Sequence, residues 1–131
     1  MENRKILTNV HMLYADSFVH DSGIKIWGSP YAPKFGIWAF ELINKEKSKE
    51  HWKQIPDDAD IVMTHGPPEG ILDTDASGDS NGDANLLKEV KDRVQPQYHL
   101  FGHVHESNGV EKIGDTVFIN AAICNKQKKP V

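Results

Sequence analysis

The chain has 131 residues, a formal net charge of −4 and one cysteine. That is the size of one domain or part of one, long enough to bury a core. The acidic balance excludes a nonspecific nucleic-acid binder, and Lys126, Lys128 and Lys129 read as a solvated tail. Cys124 has no intrachain partner for a disulfide, which fits a reducing compartment. No run reaches the ~20 apolar residues of a membrane span. Met1 to Lys5 lacks a signal-peptide apolar stretch, so a cytoplasmic chain with no membrane partner is expected.

Ile24-Lys25-Ile26-Trp27 alternates and runs into Gly28-Ser29-Pro30, a strand with a stop. Tyr31 to Phe40 is rich in aromatics and broken by Pro33 and Gly36, an irregular loop packed on the body of the protein. Its aromatics, with Trp27, could stack a nucleobase, but core or loop packing is the simpler reading. Asn44 to Gln54 has helical composition, with Trp52 to anchor it and Pro56 to end it.

Asp60 to His65 is a short apolar run, a buried strand. A long Gly- and Asp-rich loop follows over residues 66–82, and loops of that length are usually functional. Its acids suggest calcium, but the glutamate an EF-hand needs at its twelfth position is absent, leaving a solvated acidic loop. Asp83 is an N-cap for a helix whose stripe is Leu86, Leu87, Val90 and Val94. Tyr98 to Phe101 is the next strand. Val110–Ile113, Gly114-Asp115 and Thr116–Asn120 form a hairpin. Strands alternating with helices and closing on a hairpin predict an α/β fold with a mixed sheet.

Two segments carry chemistry: Thr64-His65-Gly66-Pro67-Pro68 and Phe101-Gly102-His103-Val104-His105. His65 and His103 fall at the carboxyl ends of successive strands, the crevice where α/β sheets bind ligands. Adjacent strands would bring the two imidazoles together. Neutral imidazole is the commonest protein metal ligand, so the pattern proposes a metal site against the plainer reading of three structural histidines. Gly66 and Gly102 are expected to let the backbone turn sharply and to leave room for a ligand. His103 and His105 share a side if the segment stays extended and diverge if it turns. His11, His20, His51 and His99 read as structural, with His99 pointing away from the crevice.

These motifs, with Ile26-Trp27-Gly28-Ser29-Pro30, Trp38-Ala39-Phe40, Gly70-Ile71-Leu72-Asp73 and Phe118-Ile119-Asn120-Ala121, resemble the calcineurin-like metallophosphoesterases, and within them the class III phosphodiesterase-like subgroup. The resemblance spans most of residues 1–131 and reads as the C-terminal half of that domain. It implies the mixed-sheet part of a four-layer α/β/β/α sandwich lacking its N-terminal half. It further implies a metal-dependent phosphoester hydrolase, a phosphodiesterase on nucleotide-type small molecules that uses a hydroxide activated by two divalent ions (manganese, iron or zinc).

His65 and His103 match ligands of the second metal, and His105 matches a ligand of the first. Gly66, Asp73 and Gly102 would border substrate, and Glu106 and Asn120 would orient the ligands. The family's Asp-x-His, Gly-Asp and Gly-Asn-His motifs, which hold the bridging aspartate and the leaving-group histidine, are absent here. This chain alone is therefore expected to bind at most one metal weakly and to be inactive or weakly active, unless a complementing N-terminal segment supplies the rest. The alternative is a non-catalytic fragment or binding module that keeps a partial metal site.

Overall fold

In the computed structural model, which describes residues 8–125, 127, 129 and 130, a six-stranded mixed sheet organises the chain. Its strands are β1 (Asp16–Val19), β2 (Lys25–Ser29), β5 (Ile61–Thr64), β6 (Tyr98–Phe101), β8 (Thr116–Asn120) and β7 (Gly109–Ile113), in that spatial order. The central pairings β2–β5, β5–β6 and β6–β8 are parallel, while β1 and β7 add antiparallel edges. The predicted mixed sheet is therefore observed. Two short strands, β3 (Ala32–Pro33) and β4 (Glu41–Leu42), pair apart from it.

Three local expectations change. The strand expected to stop at Gly28 continues through Ser29, because pairing with β5 runs to Ser29↔Thr64. β1 was not legible in a polar stretch. It forms because His20 to Gly23 turns tightly, with Gly23 at φ 88°, and returns the chain along β2. The stretch Tyr31 to Phe40 is bracketed by β3 and β4, and its tip is not packed on the body: Trp38 is 76% exposed.

α1 (Lys45–Trp52) begins at Asn44, whose side chain accepts from the Lys47 N–H. α2 (Ala84–Lys88) begins at Asp83 and continues as a π-helical turn over Glu89–Val94, ending at Gln95 in the left-handed conformation. Asp83 does more than cap. It accepts from the Asn85 and Leu86 amides, from Ser48 Oγ and from Trp52 Nε1 at 2.9 Å, so one buried carboxylate locks α1 to α2.

The core lies on one face of the sheet. Trp27, Val62, Phe101 and Phe118 point into it from four strands, and Trp52, Leu86 and Val90 close it from the helices with Ile55 from the turn after α1. On the opposite face Ile26, Ile61, Leu100, Val117 and Ile119 are only half-buried, and Met63 and Tyr98 are each 43% exposed. Leu13 crosses that face over Gly28, where an added Cβ would meet it at 2.8 Å. Among the described residues the six-stranded sheet thus carries helices on one side.

Candidate metal centre

Parallel pairing of β5 with β6 sets their carboxyl ends side by side. The pairing extends one step beyond both strands, since the Gly102 amide donates to the His65 carbonyl at 3.0 Å. His65 and His103 consequently face one another: His65 Nε2 lies 3.1 Å from His103 Nδ1, and both side chains reach the surface. Burial holds both imidazoles below their ordinary pKa, and for His103 the neighbouring His65 and His105 add to that lowering. The neutral, metal-ligating form is favoured in both.

The chain turns, rather than staying extended, between the two histidines of Gly-His-Val-His. The Val104 amide donates to the Gly102 carbonyl at 2.8 Å, and His103 between them has φ 71°. That is a γ-turn of the rare, strained form, carried by a residue with a Cβ. Such strain costs on the order of 1–3 kcal/mol and tends to mark functional positions. The glycines expected to provide the turn do not: neither Gly66 nor Gly102 has a positive φ. An added Cβ would sit at ordinary contact distances, 3.5 Å from Ala32 at Gly66 and 3.9 Å from Ala122 at Gly102.

His105 opens a 3₁₀ turn, His105–Ser107. Its Nδ1 lies 3.2 Å from the Asn125 carbonyl, which can only accept, so Nδ1 carries the proton and Nε2 keeps its lone pair. This is the arrangement by which a ligand histidine is usually oriented. Glu106, expected to serve that purpose, is exposed and makes no recorded bond to His105 among the described residues. Asn120 is the stronger organiser. Fully buried, it donates to the Leu72 and Val104 carbonyls at 3.0 and 2.8 Å and accepts from the Ala122 amide. It thereby fixes the backbone between His103 and His105.

Asp73 is turned inward. Its carboxylate accepts from the Gly70 and Gly82 amides and from Ser80 Oγ, folding the loop onto itself. Gly82 is obligatory in that loop, since a Cβ there would fall 2.3 Å from Glu69 Cα.

Two arrangements near the centre had little sequence signal. Thr64 donates to the Gly66 carbonyl and accepts from His99 Nε2 at 2.9 Å, which leaves His99 Nδ1 as a buried lone pair with no partner among the described residues. Full burial pushes the His99 pKa down to about 3. Phe35 lies against His103, ring centroids 4.9 Å apart, although 68 positions separate them in sequence.

The donor set fits a metal in part. Two neutral imidazole nitrogens 3.1 Å apart are spaced as two ligands of one ion with metal–nitrogen bonds of about 2.0–2.1 Å. No group of three or more His, Cys, Asp or Glu side chains converges on one point among the described residues.

A mixed sheet with paired imidazoles at its carboxyl edge agrees with the class that the sequence comparisons give. Residues 13–107 match the family model of the calcineurin-like phosphoesterases, and the chain belongs to that family, whose members generally use divalent metals. It is 42% identical over 129 residues to human metallophosphoesterase domain-containing protein 1, covering 98% of this chain and 39% of that one. It is 46% identical to the UPF0046 protein K07C11.7 of Caenorhabditis elegans, covering 96% of this chain and 43% of that one. The chain thus spans about two-fifths of the length of these relatives. One solved crystal structure superposes with a TM-score of 0.69 at 16% identity, over 92% of this chain and 49% of that one, a likeness of fold alone.

Proposed function

We propose that this chain carries the nitrogen donors of a metal-dependent phosphodiesterase acting on nucleotide-type small molecules. The observation that supports the reading is the His65–His103 pair, held by the extended β5–β6 pairing and by the strained turn at His103. When bound, a pair of divalent ions would activate water and neutralise the phosphoryl oxygens. His65 Nε2 and His103 Nδ1 would hold one ion and His105 Nε2 would reach the other. Asn120 keeps the His103–His105 backbone fixed, and the Asn125 carbonyl keeps His105 in the tautomer that presents Nε2.

The remaining oxygen donors come, in this reading, from a complementing N-terminal segment seated on the uncovered sheet face. The share of the relatives' length that this chain lacks and the apolar character of that face both support it. Alone, the chain is a weak metal binder with little or no turnover.

The test is hydrolysis of bis(p-nitrophenyl) phosphate with Mn²⁺. The chain alone should not exceed the metal-only control. Adding the part of the human relative outside the matched region should give turnover, and H65A or H103A should remove it by at least about a hundredfold. Turnover by the chain alone, or complementation indifferent to both substitutions, would contradict the reading. Failure of complementation would leave the non-catalytic binding module as the better description.

A further inference from the structure

The five aromatics that open this region of the sequence fall into two groups in space. Trp27 is buried and packs edge-on against Trp52. Tyr31 packs on His51 and Phe40, and Phe40 also meets Tyr14. Trp27 and Tyr31 are accounted for by packing, and Phe40, though 40% exposed, by its ring contacts with Tyr31 and Tyr14. Phe35 and Trp38 are not: they are 44% and 76% exposed.

Their loop is held rather than loose. The Phe35 and Gly36 amides both donate to Glu41 Oε1, at 3.1 and 3.0 Å, which fixes the turn between β3 and β4. The Trp38 indole folds back over Gly36, where an added Cβ would stand 3.4 Å from Nε1. Phe35 precedes that glycine in the chain, and its ring touches the imidazole of His103. An exposed aromatic surface thus begins at the candidate metal centre itself.

Exposed aromatic rings next to a candidate site offer flat apolar contact surface. A base presents a π-face that such rings accept without reading its identity. Building on the phosphoesterase reading above, we propose that Phe35 and Trp38 form the platform on which the nucleobase of the substrate stacks while its phosphoryl group lies at His65 and His103. The platform selects for an aromatic base over a bare sugar phosphate and discriminates weakly among bases.

Trp38 reports on its own site, because Trp27 and Trp52 are buried. The full chain, with Zn²⁺ present, is titrated with adenosine, adenosine 5′-monophosphate and ribose 5-phosphate, following tryptophan fluorescence. Adenosine and its monophosphate should quench saturably and ribose 5-phosphate should not, with W38F abolishing the change. Phe35→Leu keeps the reporter and should weaken adenosine at least about fivefold; both positions are exposed, and circular dichroism confirms the fold of each variant. His65→Ala should remove the advantage of the monophosphate over adenosine. If that advantage survives His65→Ala, the phosphoryl assignment fails and the platform stands. Equal responses to adenosine and ribose 5-phosphate, or unchanged affinity in Phe35→Leu, overturn the platform. Displacement of adenosine by the complementing polypeptide would equally overturn it, by showing that protein covers the patch.

Discussion

The face of the sheet carrying Trp27, Val62, Phe101 and Phe118 is sealed by two helices, whereas among the described residues the face carrying Ile26, Ile61, Met63 and Leu100 is covered by no core residue. Both faces are apolar. Ile61-Val62-Met63 and Val117-Phe118-Ile119 run on without the polar alternation of a strand that faces water on one side. The central strands are thus written for burial on both sides, and this chain supplies cover for one. The sealed face fixes the strands, their carboxyl ends fix the two imidazoles, and in the proposed reading the open face is the docking surface for a complementing segment.

The comparison breaks most visibly in a paired truncation. Phe118→Ala on the sealed face should cost about 3–5 kcal/mol, as cavity-forming Phe substitutions do. It should lower the urea midpoint steeply, or prevent folding. If it unfolds less readily than a Leu100→Ala chain, the core has been placed on the wrong face.

Acid probes the same face. His99 is neutral in the folded chain, its pKa near 3, and takes a proton near 6.5 when unfolded. Its contribution is complete above pH 6.5 and is lost as pH falls toward 3. The loss is about 1.4 kcal/mol per unit, or roughly 2 kcal/mol by pH 5. Denaturant midpoints at pH 7 and pH 5 should differ accordingly, and the difference should shrink in H99F. An unchanged difference would move the acid sensitivity elsewhere.

His103 sharpens the contrast between stability and chemistry. His103→Gly removes a Cβ from a strained turn and should raise stability by about 1 kcal/mol, while a nitrogen donor is lost. A fall in thermal midpoint would mean the turn is not strained. The smallest effect belongs to the open face. Met63→Lys should change the stability of the chain alone by less than about 0.5 kcal/mol, yet it should block complementation. Normal complementation by that variant would show that the segment docks elsewhere.

Much of this architecture could be read from the sequence where the signal is local. The Asp83 cap, the Gly114-Asp115 hairpin and the two apolar runs ending at His65 and Phe101 each follow from neighbouring residues. The meeting of His65 with His103 followed from one further step, that successive parallel strands pair side by side. What the sequence hid depends on distant partners. β1 exists because β2 offers it an edge, and Phe35 reaches His103 only because β3 and β4 fold its loop back. The turn at His103 was hidden for a different reason: Gly102 looked like the turning residue, and the strain falls on its neighbour. Asp73 looked like a group available to substrate, but its Oδ2 takes three donors from its own loop and the side chain is turned inward.

The central claim is that His65 Nε2 and His103 Nδ1 are metal donors set by the β5–β6 edge. Nitrogen-15 spectra of the imidazoles, recorded during titration with Zn²⁺, test it directly. Resonances of those two nitrogens should shift together at substoichiometric metal while His51 and His99 stay unchanged. Zinc that leaves both unmoved, or that shifts them separately, would contradict the account.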